Sequence, residues 1–552
     1  MNKLWYGDNL TIMQSMKKHS VDLIYLDPPF KSDANYNLLY KNLTGKPVPE
    51  QAEAFFDTWE LDAAKLEAAR TMPVLMREHG VDDNYVAFWN IWISALRNSQ
   101  PQLLAYLIYM VQRLLHMKSI LRPTGSIYLH CDPAASHYIK VMMDGIFGHE
   151  NFRNEIIWKR TGAHGGATRW GDIHDVILFY TASSKYKWNR VLQAHDPDYI
   201  DTKYRFVDKR GQYRLVVLTG PGITRGASGQ PWRGYNPTDA NRHWAVPKRA
   251  IQALRDEGVE IPEDLHEQLE LLYQHDLIRF PERGRGGGPG VPEFKLHLEK
   301  GQPIQDMILD IPPINSQAKE RLGYPTQKPI ALLDRIIQAS SDKGDVVFDP
   351  FCGCGTTVYS AVKNERQWIG CDIAILSIKL VREVLTERHR LVEGHHFEVD
   401  GIPVSVEQAQ ELFSRDAFQF QHWVVEKVGG FPMQKKVADR GIDGRMYFET
   451  KDALGEMIIS VKGGKLKPSD VRDLRGVIER ERSSLGGFLS LQEPSKAMRT
   501  EAAEAGFFEY NGNRYPRIQL LTVREILEEK REFHMPTRVN TKITTGQQSL
   551  PL

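Results

Sequence analysis

At 552 residues the chain has material for about two to four domains and a large core. Lys and Arg number 71 against 70 Asp and Glu, a net of +1, which excludes neither nucleic acid nor a small substrate because local patches cancel in the total. Four cysteines (Cys131, Cys352, Cys354 and Cys371) exclude a disulfide scaffold and point to a reducing compartment.

The first nine residues, Met1 to Asn9, are polar and lack the apolar core of a secretory signal. The first strong element is VDLIYLDPPF, Val21 to Phe30, where a strand over Leu23–Leu26 stops abruptly at Asp27, Pro28, Pro29 and Phe30. An Asp-Pro turn after a strand is common in isolation, so this ending gains meaning only from its company. Helical patterns follow over Ala63–Arg77 and Val86–Lys118. The most apolar run, Leu103 to Leu121, is interrupted by Gln112, Arg113, His116 and Lys118. A membrane span needs about 20 mostly apolar residues, so this run is expected to be a buried helix of a soluble, cytoplasmic protein with no membrane partner. Further strands are predicted over Gly125–His130 and Val176–Tyr180. Strands alternating with helices here, and again after residue 320, define an α/β sheet.

The middle of the chain is locally basic. Asn151 to Ala245 holds 15 Lys or Arg against 8 Asp or Glu, a net of +7. Trp158, Trp170, Trp188, Tyr204, Phe206, Tyr213, Trp232, Tyr235 and Trp244 are interleaved with the cations. Cations for phosphates and flat rings for bases fit nucleic-acid contact, and the same aromatics equally fit a small domain core. RGRGGGPGVP, Arg283 to Pro292, is expected to be a flexible loop.

A helix is predicted over Pro329–Ser340, then DVVFDPFCGCGTTVYSA, Asp345 to Ala361. There a strand over Val346–Asp349 enters a turn with Gly353 and Gly355, and Thr356 and Thr357 are placed to cap the next helix. Glycines at such a turn let a ligand approach the backbone. The next strand, Trp368–Cys371, ends in Asp372, placed to hold the two hydroxyls of a ribose, so a nucleoside cofactor is expected. The turn lacks the Gly-Lys-Ser/Thr ending of a nucleotide triphosphate loop. Cys352 and Cys354 are one residue apart with no second pair nearby, so zinc is not expected.

Together, DPPF and FDPFCGCGTT resemble the S-adenosylmethionine-dependent amino DNA methyltransferases. The catalytic tetrapeptide comes first and the cofactor turn late, as in class β of that family. YGDN (Tyr6–Asn9), GSIYLHCD (Gly125–Asp132), DGIFGHENFRNEIIWKR (Asp144–Arg160), HDVILFYT (His174–Thr181) and YPTQKP (Tyr324–Pro329) fit the same pattern, over roughly residues 1–395. The resemblance implies an α/β, Rossmann-like methyltransferase sheet in two parts, 1–185 and 321–398, with a target-recognition region at 186–320. It implies transfer of a methyl group from S-adenosylmethionine to an exocyclic amine of a base flipped out of double-stranded DNA. Asp27 and the Pro28 carbonyl would accept the two N–H groups, Pro29 would stiffen the turn, and Phe30 would stack on the base. Asp8 would lie near the cofactor adenine, Asp372 at its ribose, and Thr326, Gln327 and Asp349 near its methionine end, with Phe351, Gly353 and Gly355 completing the cofactor turn. An acid opening the tetrapeptide is more typical of adenine N6 enzymes than of cytosine N4 enzymes, and an RNA target would share the same short motifs. Dimers are frequent in the class, which leaves a homodimer open.

Beyond residue 400 the texture changes, with a helical stretch Val406–Val428 and strands near Met446–Phe448 and Met457–Val461. ADRGIDGRMYF (Ala438–Phe448) followed by GEMIISVKGGK (Gly455–Lys465) resembles the PD-(D/E)xK nuclease superfamily of Mrr type, placing a smaller α/β nuclease-like domain at 399–535 and a polar tail at 536–552. Asp443 would bind Mg²⁺ and Lys462 would stabilise charge at the nucleophile. Ser460 stands where the superfamily has Glu or Gln, so metal binding requires an oxygen from Glu426, Glu449 or Glu456; otherwise the domain is a non-catalytic DNA-binding module. The combination implies a restriction–modification or phage-defence protein.

Overall fold

The computed structural model describes residues 2–29, 36–38, 52–55, 59–162, 170–281, 290–299, 301–315, 317–322, 324, 326–433, 441–450 and 454–537. They form two compact units, one of residues 1–189 with 306–552 and the other of residues 190–305.

The first unit is built on a nine-stranded sheet. Its spatial order is Met307–Ile308, Phe152–Lys159, His174–Thr181, Leu121–Cys131, Val21–Leu26, Val346–Asp349, Gln367–Asp372, Asn2–Tyr6 and Phe397–Asp400. All pairings are parallel except those made by His174–Thr181, which runs antiparallel to both neighbours. All six residues of Val21–Leu26 are buried, as a central parallel strand covered on both faces requires. Asp22 is among them and is satisfied: its carboxylate accepts from the Val346 backbone N–H at 3.0 Å and meets Arg122 at 3.3 Å and Lys187 at 3.4 Å. The short first strand Asn2–Tyr6, which alternation in NKLWY does not announce, pairs in register with Gln367–Asp372.

The predicted helix over Val86–Lys118 is two helices, Asp83–Ser99 and Pro101–Ile120, because Pro101 cannot continue the first and occupies the opening turn of the second. Pro101–Ile120 buries most of its residues, and no described helix is long and apolar enough to cross a membrane. The stretch Val406–Val428 likewise divides into Val406–Arg415 and Ala417–Lys427. Asp416 is the break: it is extended, and its carboxylate caps the second helix through the N–H groups of Phe418 and Gln419, each at 3.0 Å.

The carboxy-terminal residues add a five-stranded sheet in the order Phe431–Pro432, Gly444–Glu449, Leu454–Lys462, Leu485–Ser490, Ile518–Thr522. One continuous apolar core joins this sheet to the nine-stranded one, running from Leu4, Val347 and Trp368 through Trp423 to Phe448 and Leu521.

The second unit holds a four-stranded antiparallel sheet, Ile278–Arg279, Glu293–His297, Gly211–Val217 and Phe206–Asp208. Trp232, Tyr235 and Trp244 are buried in its core with Leu254, Leu272 and Phe294, while Phe206 is exposed. In the first unit Trp158 is buried and donates its indole N–H to the Ile311 carbonyl at 2.9 Å, while Trp170 is 95% exposed. The interleaved aromatics therefore divide between core and surface. Residues 283–289 of the predicted loop lie outside the described residues, as does the tail from 538.

Candidate active site

Four neighbouring parallel strands end in acids at the same sheet edge. Val21–Leu26 leads into Asp27, Val346–Asp349 and Gln367–Asp372 end on their own aspartates, and Asn2–Tyr6 leads through Gly7 to Asp8. Ligands of open α/β sheets bind at the carboxyl ends of strands, where connections diverge to opposite sides, and that point falls between Val21–Leu26 and Val346–Asp349. A cavity of about 300 Å³ lies there, lined by all four acids together with Pro28, Pro29, Phe351, Gly353, Thr326 and Gln327. Of the residues expected at the site, Gly355 is adjacent in the turn, and Phe30 lies outside the described residues.

The turn after Val346–Asp349 needs its glycines. Gly353 and Gly355 have φ of +48° and +84°, and a Cβ on Gly355 would lie 2.7 Å from Val381 Cγ2 and 2.9 Å from the Tyr359 ring. Neither threonine caps the following helix. Gly355 occupies the cap position with no side-chain bond, and the Thr357 hydroxyl is engaged with Asp349 instead. Asp372 receives the Gly353 backbone N–H at 2.9 Å on one oxygen and that of Ala374 at 2.8 Å on the other. Together with hydrogen bonds from the Ser377 side chain and the Ile373 backbone, this fixes the carboxylate's orientation at the cavity wall. Asp349 accepts from the Phe351 N–H at 2.9 Å. Burial pushes the Cys352 thiol well up and that of Cys354 up to about 12, which keeps both protonated.

Several residues to which the motifs assign no role also shape the site. Lys328, the next residue after Gln327, forms an ion pair with Asp27, and both are largely buried. Gln327 itself is occupied in shaping its loop, accepting from the Leu322 N–H and donating to the Glu320 carbonyl, both at 2.7 Å. Arg113, from the helical insert, binds Asp8 at 2.7 Å and Asn9 at 2.7 Å, and Asn9 in turn donates to the Pro350 carbonyl at 2.7 Å. The Arg113 guanidinium also lies 3.4 Å from the centre of the Tyr109 ring, which lines the cavity. Below Asp27, Tyr25 bonds His130 at 2.9 Å and His130 bonds Asp175 at 3.0 Å.

Burial raises three carboxyls here: Asp349 to about 7, Asp372 to about 6, and Glu426, from the Ala417–Lys427 helix, to about 8. Each holds its proton more tightly folded than unfolded, where an acid titrates near pH 4. Their contribution to stability is therefore complete below about pH 4 and is lost as pH rises through about 6 to 8. Glu426→Gln is expected to flatten the fall of melting temperature between pH 7 and 8.5 in a calorimetric series, and an unchanged slope would contradict the buried-acid account.

In the carboxy-terminal sheet, Asp443 accepts the Val461 N–H at 2.6 Å. Ser460 and Lys462 lie on the adjacent strand with side chains on one face, Ser460 buried and Lys462 exposed. Of the three glutamates that were candidates to complete a metal site, Glu456 is paired with Arg445, and Glu426 belongs to the surroundings of Asp372. Among the described residues no group of three or more His, Cys, Asp or Glu is placed to hold a metal ion, so the described donors do not by themselves make a Mg²⁺ site.

Comparison with known proteins follows the same division. Residues 417–528 match the family described as NACHT-associated inactive Restriction Endonuclease 1. The type II methyltransferase M.EcaI of Enterobacter cloacae is 32% identical over 281 residues, covering 50% of this chain and 56% of that protein. The Mod subunit of the type III restriction-modification enzyme StyLTI of Salmonella typhimurium is 26% identical over 395 residues, covering 66% and 51%. The DNA adenine methyltransferase YhdJ of Escherichia coli is 43% identical over 79 residues, covering 14% and 27%. The chain thus spans about half the length of the first two of these curated relatives. Residues 21–383 match the DNA methylase family (N6_N4_Mtase), and with two thirds of its length inside that match the chain belongs to this family.

Proposed function

We propose that this protein transfers a methyl group from S-adenosylmethionine to the exocyclic amine of a base flipped out of duplex DNA, adenine N6 being the favoured target, in the permuted class β arrangement. The observation that carries this reading is the shared cavity: Asp27 and the acids of the glycine turn, far apart in the chain, line one space at adjacent strand ends. The cavity suits the cofactor in kind, with a carboxylate oriented by two backbone N–H groups for ribose hydroxyls and a glycine turn open to close approach. S-adenosylmethionine supplies a methyl group activated on a sulfonium.

The work of the protein is to make the amine nucleophilic. An amine conjugated to a base has its lone pair drawn into the ring. Asp27 accepts one N–H and the Pro28 carbonyl the other, which favours tetrahedral nitrogen and turns the lone pair toward the methyl group. The Lys328 ammonium occupies the Asp27 carboxylate when no base is present, so the carboxylate is balanced by a cation in the free protein. A base entering the site replaces part of that contact with its own N–H. The proton released as the new C–N bond forms has Asp27 as its nearest acceptor.

The acid at the head of DPPF and the similarity to a DNA adenine methyltransferase both favour adenine over cytosine N4. The unit of residues 190–305, with its exposed aromatics and, over residues 190–245, 9 Lys or Arg against 5 Asp or Glu, is the proposed reader of target sequence. Incubating the protein with methyl-labelled cofactor and either duplex DNA or structured RNA tests the proposal. Label in N6-methyladenine of the DNA is expected; label in N4-methylcytosine would correct the base, and label in RNA alone would overturn the reading.

The carboxy-terminal segment is proposed to be a non-cleaving module of the Mrr-like fold. Supporting this are Ser460 in place of an acid, the capture of Glu456 by Arg445, and the inactive family it matches. With Mg²⁺ present, unmethylated plasmid is expected to stay intact. Cutting that disappears in Lys462→Ala would reverse this assignment.

A further inference from the structure

The cavity wall is not made by the methylase-family residues alone. Asp416 and Phe418 line it alongside Asp8, Asp372 and Ile373, yet both lie beyond residue 383, Phe418 at the start of the segment that matches the restriction-endonuclease family and Asp416 one residue before it. Their position is fixed rather than incidental. The chain breaks at Asp416 between two helices, and the Asp416 carboxylate is tied down by the N–H groups of Phe418 and Gln419. Gln419 is 2% exposed and its amide sits 3.2 Å from where a Cβ on Gly7 would be. Gly7, with φ of +147°, donates its N–H to the Asp372 carbonyl at 2.9 Å. One turn of helix from the carboxy-terminal segment therefore rests directly on the backbone between the first strand and Asp8. At the other end of that helix Glu426 is buried near Lys379 and Asp372. The apolar core is continuous across the junction, through Trp423 and Val424 to Leu4 and Ile378.

We propose that the carboxy-terminal segment supplies part of the cofactor site, with the Phe418 ring as an apolar face and the Asp416 carboxylate as a polar edge for the adenosine end of the ligand. The inference rests on the S-adenosylmethionine reading given above. A ring stacked on a purine contributes enough for about a tenfold or larger effect on affinity when it is removed. Because the same helix anchors the carboxy-terminal sheet, occupancy of the cavity and seating of that sheet are linked, and linkage is reciprocal: cofactor must tighten the helix as much as the helix tightens cofactor. A module that does not cut DNA can by this route still register whether the methylase is loaded.

The test uses the full chain. S-adenosylmethionine affinity is measured by calorimetry for the unsubstituted protein, Phe418→Ala, Phe418→Trp and Asp416→Asn, the last keeping a side chain that caps helices well. Hydrogen exchange of amides 417–428 is followed with and without cofactor. Expected are a tenfold or greater rise in Kd for Phe418→Ala, carried by KM for the cofactor rather than by kcat, recovery in Phe418→Trp, and slower exchange in 417–428 on cofactor addition. Equal affinity in Phe418→Ala, or exchange that cofactor does not alter, would overturn the proposal. Should Phe418→Ala fail to fold, Asp416→Asn and the exchange data decide it. If the unsubstituted protein binds no S-adenosylmethionine, the proposed function itself fails, an outcome distinct from a bound cofactor indifferent to Phe418.

Discussion

Asp27→Ala is expected to lower kcat for methyl transfer by about 100- to 1000-fold or more, while cofactor affinity stays within a few-fold of normal. The size follows from what Asp27 would do: it accepts an N–H most strongly when the amine nitrogen becomes tetrahedral, so its loss falls on the transition state. Affinity is spared because the acids proposed to hold the cofactor, Asp372 and Asp349, sit on neighbouring strands and keep their own backbone donors. Asp27→Ala also removes an ion-pair partner from the largely buried Lys328 ammonium, so some loss of stability accompanies the loss of rate. Asp27→Asn keeps the shape but presents an N–H where an acceptor is needed, and should be nearly as inactive. Single-turnover transfer of labelled methyl groups, with calorimetric titration of S-adenosylmethionine, separates the two quantities. Normal turnover in either variant would remove Asp27 from the catalytic site.

The second large effect falls on binding. Asp372→Ala is expected to weaken S-adenosylmethionine by about 100-fold or more, since bonds from ribose hydroxyls to a buried carboxylate contribute about 1.5–3 kcal/mol each. Its carboxylate also holds the Gly353 and Ala374 N–H groups, so the glycine turn loses its brace at the same time. Asp372→Asn should not rescue: one of its two ends becomes a donor facing a backbone N–H. Isothermal titration of the folded variants measures the effect, and binding within threefold of normal would place the ribose elsewhere.

Much of this site is legible from sequence because strand ends are legible. A buried strand followed by an acid, or by glycines and then an acid, marks the edge of a sheet where a ligand can reach backbone, and three of the four edge acids follow from that pattern. Asp8 needed the family resemblance, since the strand before it is short and half polar. The remainder depends on distances that the chain does not record. Lys328 sits in YPTQKP, but only the folded loop reveals that the lysine reaches Asp27 while Gln327 is tied to Leu322 and Glu320. Arg113 looked like a polar interruption of an apolar helix and proves to be the partner of Asp8. Trp232, Tyr235 and Trp244 read equally as base-stacking rings or as core, and burial decides for core. The two broken helices were hidden by continuous periodicity, although Pro101 and Asp416 were visible signals of where they divide.

The row of aspartates at one sheet edge has a consequence for the order in which the chain supplies them. Neighbourhood in that row is set by lateral pairing, so the itinerary by which the polypeptide visits its strands is immaterial to the chemistry. A chain can deliver Asp27 hundreds of residues before the glycine turn and still assemble the same pocket. What must be kept through any such rewiring is the side-by-side succession of four strands, and a variant with relocated termini that keeps it is expected to keep the pocket.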